Sequence, residues 1–271
     1  MFDILQYEFM RRALITTILT CIACGTIGVF ITTKKMVSIA GGISHSCFGG
    51  IGISYYFNLD PLIGLLPFSI INAIILGIIS KKTKISEDTA TGIVWSIGVA
   101  FGIILIYITP GYAPDLMTYL FGNILTVPSS DLYLITIIDI IVLFFIILFY
   151  KEFVGICFDE EFLEASGVQS EMLYFLFLCL TALTIVSMIK VVGIILIIAM
   201  LTIPASISKK FTYNFKKLII FSCIIGVILS IFGLFLSFKF NLPTGATIIL
   251  VFGIAYILIN IIKNIYYNFL L

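Results

Sequence analysis

The chain has 271 residues, of which 61% are hydrophobic and only 11% charged, with a formal net charge of +1. Soluble domains carry about 25% charged residues, so the composition excludes a soluble enzyme and points to an integral membrane protein surrounded by lipid. The net charge says nothing about nucleic acid, and with no basic stripe present no nucleic-acid partner is expected.

The opening run MFDILQYEFMRR is not expected to be a cleavable signal peptide, because acidic residues come early and Arg11 and Arg12 precede the apolar stretch. At about 20 apolar residues per crossing, nine transmembrane spans are predicted near 13–33, 37–57, 61–80, 92–109, 131–150, 172–189, 191–208, 218–238 and 246–262. The predicted fold is therefore all-α and polytopic, a single transmembrane domain over residues 1–271. Lys190–Gly193 joins the sixth and seventh spans so tightly that a re-entrant segment there would leave eight. The segment 112–130, YAPDLMTYLFGNILTVPSS, is amphipathic and proline-bracketed, which predicts a short helix lying at the membrane surface.

Orientation follows from the excess of lysine and arginine on cytoplasmic loops. With the N-terminus outside and the C-terminus in the cytosol, the inner face collects Lys34, Lys35, Lys81, Lys82, Lys84, Lys151, Lys209, Lys210, Lys216, Lys217 and Lys263. The outer side keeps only Arg11, Arg12, Lys190 and Lys239.

The first span contains Cys21 and Cys24 in a C-x-x-C, two of six cysteines with Cys47, Cys157, Cys179 and Cys223. No secreted-scaffold spacing is present, and small buried hydrophobes are expected here rather than a soft-metal or redox site.

The second span, within KKMVSIAGGISHSCFGGIGISYY (34–56), contains the single histidine, His45. On a continuous helix, residues three, four and seven apart share a face. That places His45 in a stripe with Ser38, Gly41, Gly42, Gly49 and Gly52, as lining of a path or as packing surface. A neighbouring ridge, Gly42, Ser46, Gly50 and Ser54, has the small-xxx-small spacing that admits another helix closely. Two readings of His45 stand on these residues: an imidazole hydrogen-bonded inside the bundle, or a ligand on a solute path, since ionisable groups at membrane depth tend to be functional.

The polar stretch 151–171, KEFVGICFDEEFLEASGVQSE, falls in the cytosol and predicts a short amphipathic helix. Asp159 suits its N-cap, and Glu160 and Glu161 suit the positive end of its dipole. Phe158, Phe162 and Ala165 share one face, and Gly167 suits the stop. Elsewhere, Asp139 sits in the middle of the fifth span and is expected to be protonated or hydrogen-bonded between helices. Lys190 is expected to reach the outer interface by its long stem. Glu87 and Asp88 favour the start of the fourth span.

These residues resemble the membrane permeases of bacterial ABC importers for zinc and manganese, the ABC-3 family. The resemblance runs from Tyr7-Glu8-Phe9-Met10 to the last span. It rests on Lys34-Lys35-Met36 leading to Ser44-His45, EDTATGIVWSIGVAFGIILI (87–106), DLMTYLFGNILTV (115–127), FDEEFLEASGV (158–168), VVGIILIIAMLTIPASISKK (191–210) and NLPTGATIILV (241–251). One position departs: many members carry aspartate four residues before the histidine, where this chain has Gly41. The resemblance implies a type II ABC-importer bundle in the bacterial cytoplasmic membrane, acting as a homodimer. It implies His45 on the metal path and a coupling segment in which Asp159, Phe162, Ala165 and Gly167 meet a cytosolic ATPase dimer. An extracellular or periplasmic metal-binding protein would deliver the ion. No permanently bound cofactor is implied; the metal is cargo, and ATP is hydrolysed by the partner, since the chain has no GxxxxGK[ST]. Imidazole without a nearby acid leans towards zinc, with manganese or iron as alternatives. One histidine cannot furnish an HExxH metalloprotease, and Ser44 and Ser46 splay away from His45 on a helix, which disfavours an intramembrane serine hydrolase. A passive channel or secondary transporter would differ in needing no ATPase.

Overall fold

The computed structural model describes residues 6–83, 85–110 and 116–270. Lys84 and the first part of the predicted surface segment, 112–115, lie outside the described residues. In chain order the helices are α1 (Glu8–Thr33), α2 (Val37–Ser46), α3 (Phe48–Tyr56), α4 (Pro61–Lys82), α5 (Glu87–Ile108), α6 (Leu116–Phe121), α7 (Ser129–Leu148), α8 (Tyr150–Phe158), α9 (Glu160–Ala165), α10 (Ser170–Val192), α11 (Ile194–Ser208), α12 (Phe215–Phe240) and α13 (Thr244–Leu270).

The helix ends follow local chemistry. Asp60 caps α4 by accepting from the Leu62 amide at 2.9 Å, with Pro61 in the first turn. Ser86 caps α5 ahead of Glu87 and Asp88. Asn214 caps α12, which stops at Asn241 in the left-handed region (φ +54°).

Among the described residues, seven helices are long and apolar enough to cross a membrane: α1, α4, α5, α7, α10, α12 and α13. Two of the nine predicted spans take another form. The 15-residue α11 is about 22 Å long at 1.5 Å per residue, short of a hydrocarbon core of about 30 Å. It hangs from α10 by Gly193 alone, at φ +84°. The span predicted at 37–57 is not one helix, because it is interrupted at Cys47. The cause is a crowded carbonyl: Ile43 O accepts from Ser46 Oγ (3.0 Å), Cys47 Sγ (3.1 Å) and the Cys47 amide (3.2 Å). Such back-bonding competes with the helical ladder and bends it.

The helices α1, α10 and α11 form the centre, each buried along most of its length. On one side α1 and α11 pack against α12 and α13; on the other α10 packs against α4 and α2, with α3 and α5 beyond. The predicted polar loop 151–171 is helical from its start. Residues 150–158 form α8, whose Phe153 and Ile156 are buried, so only the part from Asp159 onward stands free. The predicted surface segment bears α6 and a 3-10 turn at Ile124–Thr126. Its Gly122 (φ +62°) lies backbone to backbone on Val192–Gly193, a contact that leaves no room for a side chain.

The basic residues sort to the two ends. Lys34, Lys81, Lys210, Lys216 and Lys263 are drawn together at one end by contacts with Glu160, Tyr174, Tyr150 and Lys210 O. Arg12 and Lys190 lie at the other, where Arg12 shares a cleft with Thr126–Pro128 and Lys190 pairs with Asp131.

Candidate functional site

Two helices build an open face around His45. The imidazole, in the last turn of α2, stacks on the Trp95 indole of α5 with ring centroids 4.2 Å apart and planes 10° from parallel. Among the described residues neither ring nitrogen has a hydrogen-bond partner, and the imidazole is half-buried. Beside it on α2 lie Ser38, exposed, and Gly41, where an added Cβ would meet nothing within 4 Å. Opposite, α5 presents Gly92, equally open, and exposed Ser96, whose hydroxyl donates to Gly92 O at 2.8 Å. The result is a small-residue, polar strip on the outer wall of the bundle, with one imidazole in it.

The other members of the predicted stripe point inward. Gly42 abuts Thr91 of α5. Gly49 faces the Phe68 ring of α4, and Gly52 lies so close to the Gly102 backbone that no side chain would fit between them. The tight seating of these glycines against α4 and α5 separates them from Ser38, Gly41 and His45. The ridge Gly42, Ser46, Gly50 and Ser54 is likewise filled from within the chain. Ser46 lies against Gly98 and Gly50 against the Gly64 backbone, each without room for an added side chain, and Ser54 Oγ accepts from the Gly64 amide at 2.9 Å. The close approach that its spacing admits is thus made by α4 and α5 of the same chain, and the ridge is not available to a second copy.

At the basic end, α9 has the local form that its sequence predicts. Asp159 Oδ1 accepts from the Phe162 amide at 2.9 Å, and Gly167 ends the segment at φ +82° as its amide and that of Val168 bond back to Glu164 O and Leu163 O. Phe162 and Phe158 are 67% and 70% exposed, and Ala165 is exposed beside them. Glu160, by contrast, is turned into the bundle. It pairs with Lys34 at 3.1 Å and with Lys81, and both ammonium groups lie over the buried Tyr174 ring, 5.2 and 4.9 Å from its centroid. Lys34 also donates to Ile156 O at 3.0 Å. Burial pushes the Glu160 carboxyl up, but the hydrogen bonds and charges of Lys81 and Lys34 outweigh it and hold it below the usual carboxylate range.

Three features escape a sequence reading. Trp95 is the single tryptophan of the chain and lies in a motif block, yet its partnership with His45 spans 50 residues. Lys190 does not reach for the interface alone: it pairs with Asp131 at 3.1 Å, beside a cavity of about 380 Å³ lined by Tyr55, Tyr119 and Asn123. Asp139 is 3% exposed and, among the described residues, neither of its oxygens finds a partner. Cys21 and Cys24 are buried thiols, facing Ser230 Oγ at 3.4 Å and Met188 Sδ at 3.7 Å.

Comparison with known proteins places this arrangement. The chain is 41% identical over 258 residues to an uncharacterised membrane protein of Synechocystis, covering 95% of this chain and 92% of the other. It is 40% identical to the manganese transport system membrane protein MntC of Listeria monocytogenes, over 92% of this chain and 88% of that one. Among solved structures, PsaBC from Streptococcus pneumoniae in complex with Fab superposes with a TM-score of 0.85 at 34% identity, over 95% of this chain and 93% of that chain. The family profile matches residues 6–263. A multi-pass helical protein with these blocks in this order, matched along nearly its whole length, belongs to the ABC 3 transport family.

Proposed function

We propose that the chain is the permease subunit of an ATP-driven importer for a divalent transition metal, working as a homodimer in the bacterial cytoplasmic membrane. The observation that carries this reading is the imidazole of His45, with both nitrogens unbonded on an open polar strip at membrane depth. Lipid offers such a strip no hydrogen bonds, so a second copy set face to face would cover it and bring two imidazoles to one path. One nitrogen per chain is far short of the four ligands of a resident zinc site, and a weak site suits an ion in transit. With the basic end in the cytosol, the exposed Phe158 and Phe162 of the coupling segment meet the ATPase pair there, and an external metal-binding protein supplies ion at the opposite end.

Zinc suits imidazole without a carboxylate one turn away. Manganese is the second reading, favoured by the named transport role of the Listeria relative at 40% identity. The test is uptake of radioactive zinc and manganese by proteoliposomes holding permease, cognate ATPase and binding protein. His45→Asn should slow uptake by roughly tenfold or more, as expected for a lost transition-state contact, while protein level and ATPase co-purification stay normal. Wild-type uptake of both metals by His45→Asn would remove His45 from the path.

A further inference from the structure

Glu160 does two things at once: it opens α9, the element that bears the exposed Phe162, and its carboxylate is half-buried against the bundle between two lysines. Lys34 is the residue at the C-terminal cap of α1, and Lys81 sits in the last turn of α4. From Lys34 the chain makes one tight turn, with Lys35 at φ +62° and Met36 buried, and enters α2 at Val37. The ten-residue α2 then carries His45 in its last turn, about 12 Å along the helix axis from Val37. Phe162 and Phe158 face outward from the same segment and take no part in this junction.

We infer that Glu160 is a positioning residue for transport: it ties α9 to the turn before α2, so that displacement of the coupling segment reaches the helix carrying His45. The inference rests on the importer reading above and adds the element through which the two ends communicate. The route is short and stiff. Glu160 holds Lys34 at 3.1 Å, Lys34 is fixed a second time by Ile156 O at 3.0 Å, and Tyr174 packs beneath both lysines without exposure. An ionic link of this kind, half-shielded from water, resists stretching more than a solvated pair does. Lys81 brings α4 into the same junction, and α4 lies against α3 beyond the interruption at Cys47. Both halves of the broken span are thereby tied to one carboxylate.

The experiment uses the reconstituted complex of permease, ATPase and binding protein, reading ATP hydrolysed per metal imported together with ATPase co-purification. Glu160→Gln should leave docking and ATP hydrolysis in place, because the outward face of α9 is untouched, while metal import falls roughly tenfold, within the usual range of a lost coupling. Lys34→Gln, on a side chain only 16% exposed and turned away from any docked partner, should produce the same uncoupling. The double variant should be no worse than either single one, as for two partners in one link. Additive losses, or an unchanged ratio of ATP to metal in Glu160→Gln, would overturn the assignment, and so would loss of ATPase binding in both single variants. A wild-type complex that imports no metal would instead sink the importer reading itself.

Discussion

At the scale of single residues, Gly41 and Gly28 show how differently two glycines of one membrane protein are used. Gly41 borders open space one turn from His45, whereas Gly28 of α1 lies directly on the backbone of Leu201 in α11. Gly41→Asp should therefore fold, and by placing a carboxylate one turn from the imidazole it should raise manganese uptake relative to zinc, measured in competition. Gly28→Ala has nowhere to put its methyl and should cost about 1–3 kcal/mol, seen as a lower melting temperature in detergent. The sequence singles out His45 because it is the one histidine of the chain and lies in a glycine-rich span. Its neighbours were less legible. Spacing alone put Gly49 and Gly52 on its face, while packing against Phe68 and Gly102, which only coordinates reveal, turns them into the bundle.

At the scale of elements, α9 is the part most fully written in the local sequence. A capping aspartate, two acidic residues in the first turn and a left-handed glycine at the end act within a few residues of one another. What local chemistry does not contain is the partner of Glu160, since Lys34 and Lys81 come from remote turns. Its lowered pKa means that the stabilising ion pair is complete above the ordinary carboxylate range and is lost only as pH falls through that lowered value. The link is thus at full strength at any pH near neutrality. Phe162→Asp tests the outward side of the same element. The bundle should fold normally, because the ring is 67% exposed, but docking would bury an unpaired charge at a cost of several kcal/mol. Stimulated ATP hydrolysis should vanish; undisturbed co-purification of ATPase and permease would show that Phe162 lies outside the contact.

At the scale of the whole molecule, the segregation of lysine to one end was readable from loops, and in the fold Lys34 and Lys81 share Glu160 there, while Lys216 lies over Tyr150 and Lys263 donates to Lys210 O. A reporter active only outside the cell should stay silent when fused after Lys263 and should work after Asp60; the reverse pattern would invert the orientation and the coupling side with it. The number of crossings was harder to read. Hydropathy does not distinguish a long helix from two short ones, or a full span from the 15-residue α11 buried on nearly every side. The pairing of Asp131 with Lys190 across 59 residues is likewise a product of packing.

The open strip on α2 and α5 also bears on the chain before it ever works. A newly inserted copy exposes the hydroxyl of Ser38 and a bare imidazole on its outer wall, while the Ser96 hydroxyl is met within the chain by Gly92 O. In hydrocarbon each unmet polar group costs several kcal/mol, so a solitary copy is a poorly solvated guest of the membrane. Where folded stability depends on a covering surface, it depends on the concentration of whatever supplies that surface. Under the proposed homodimer the covering surface is a second copy, and abundance is then expected to follow dosage, with sparsely made copies uncovered longer and more open to membrane quality-control proteases.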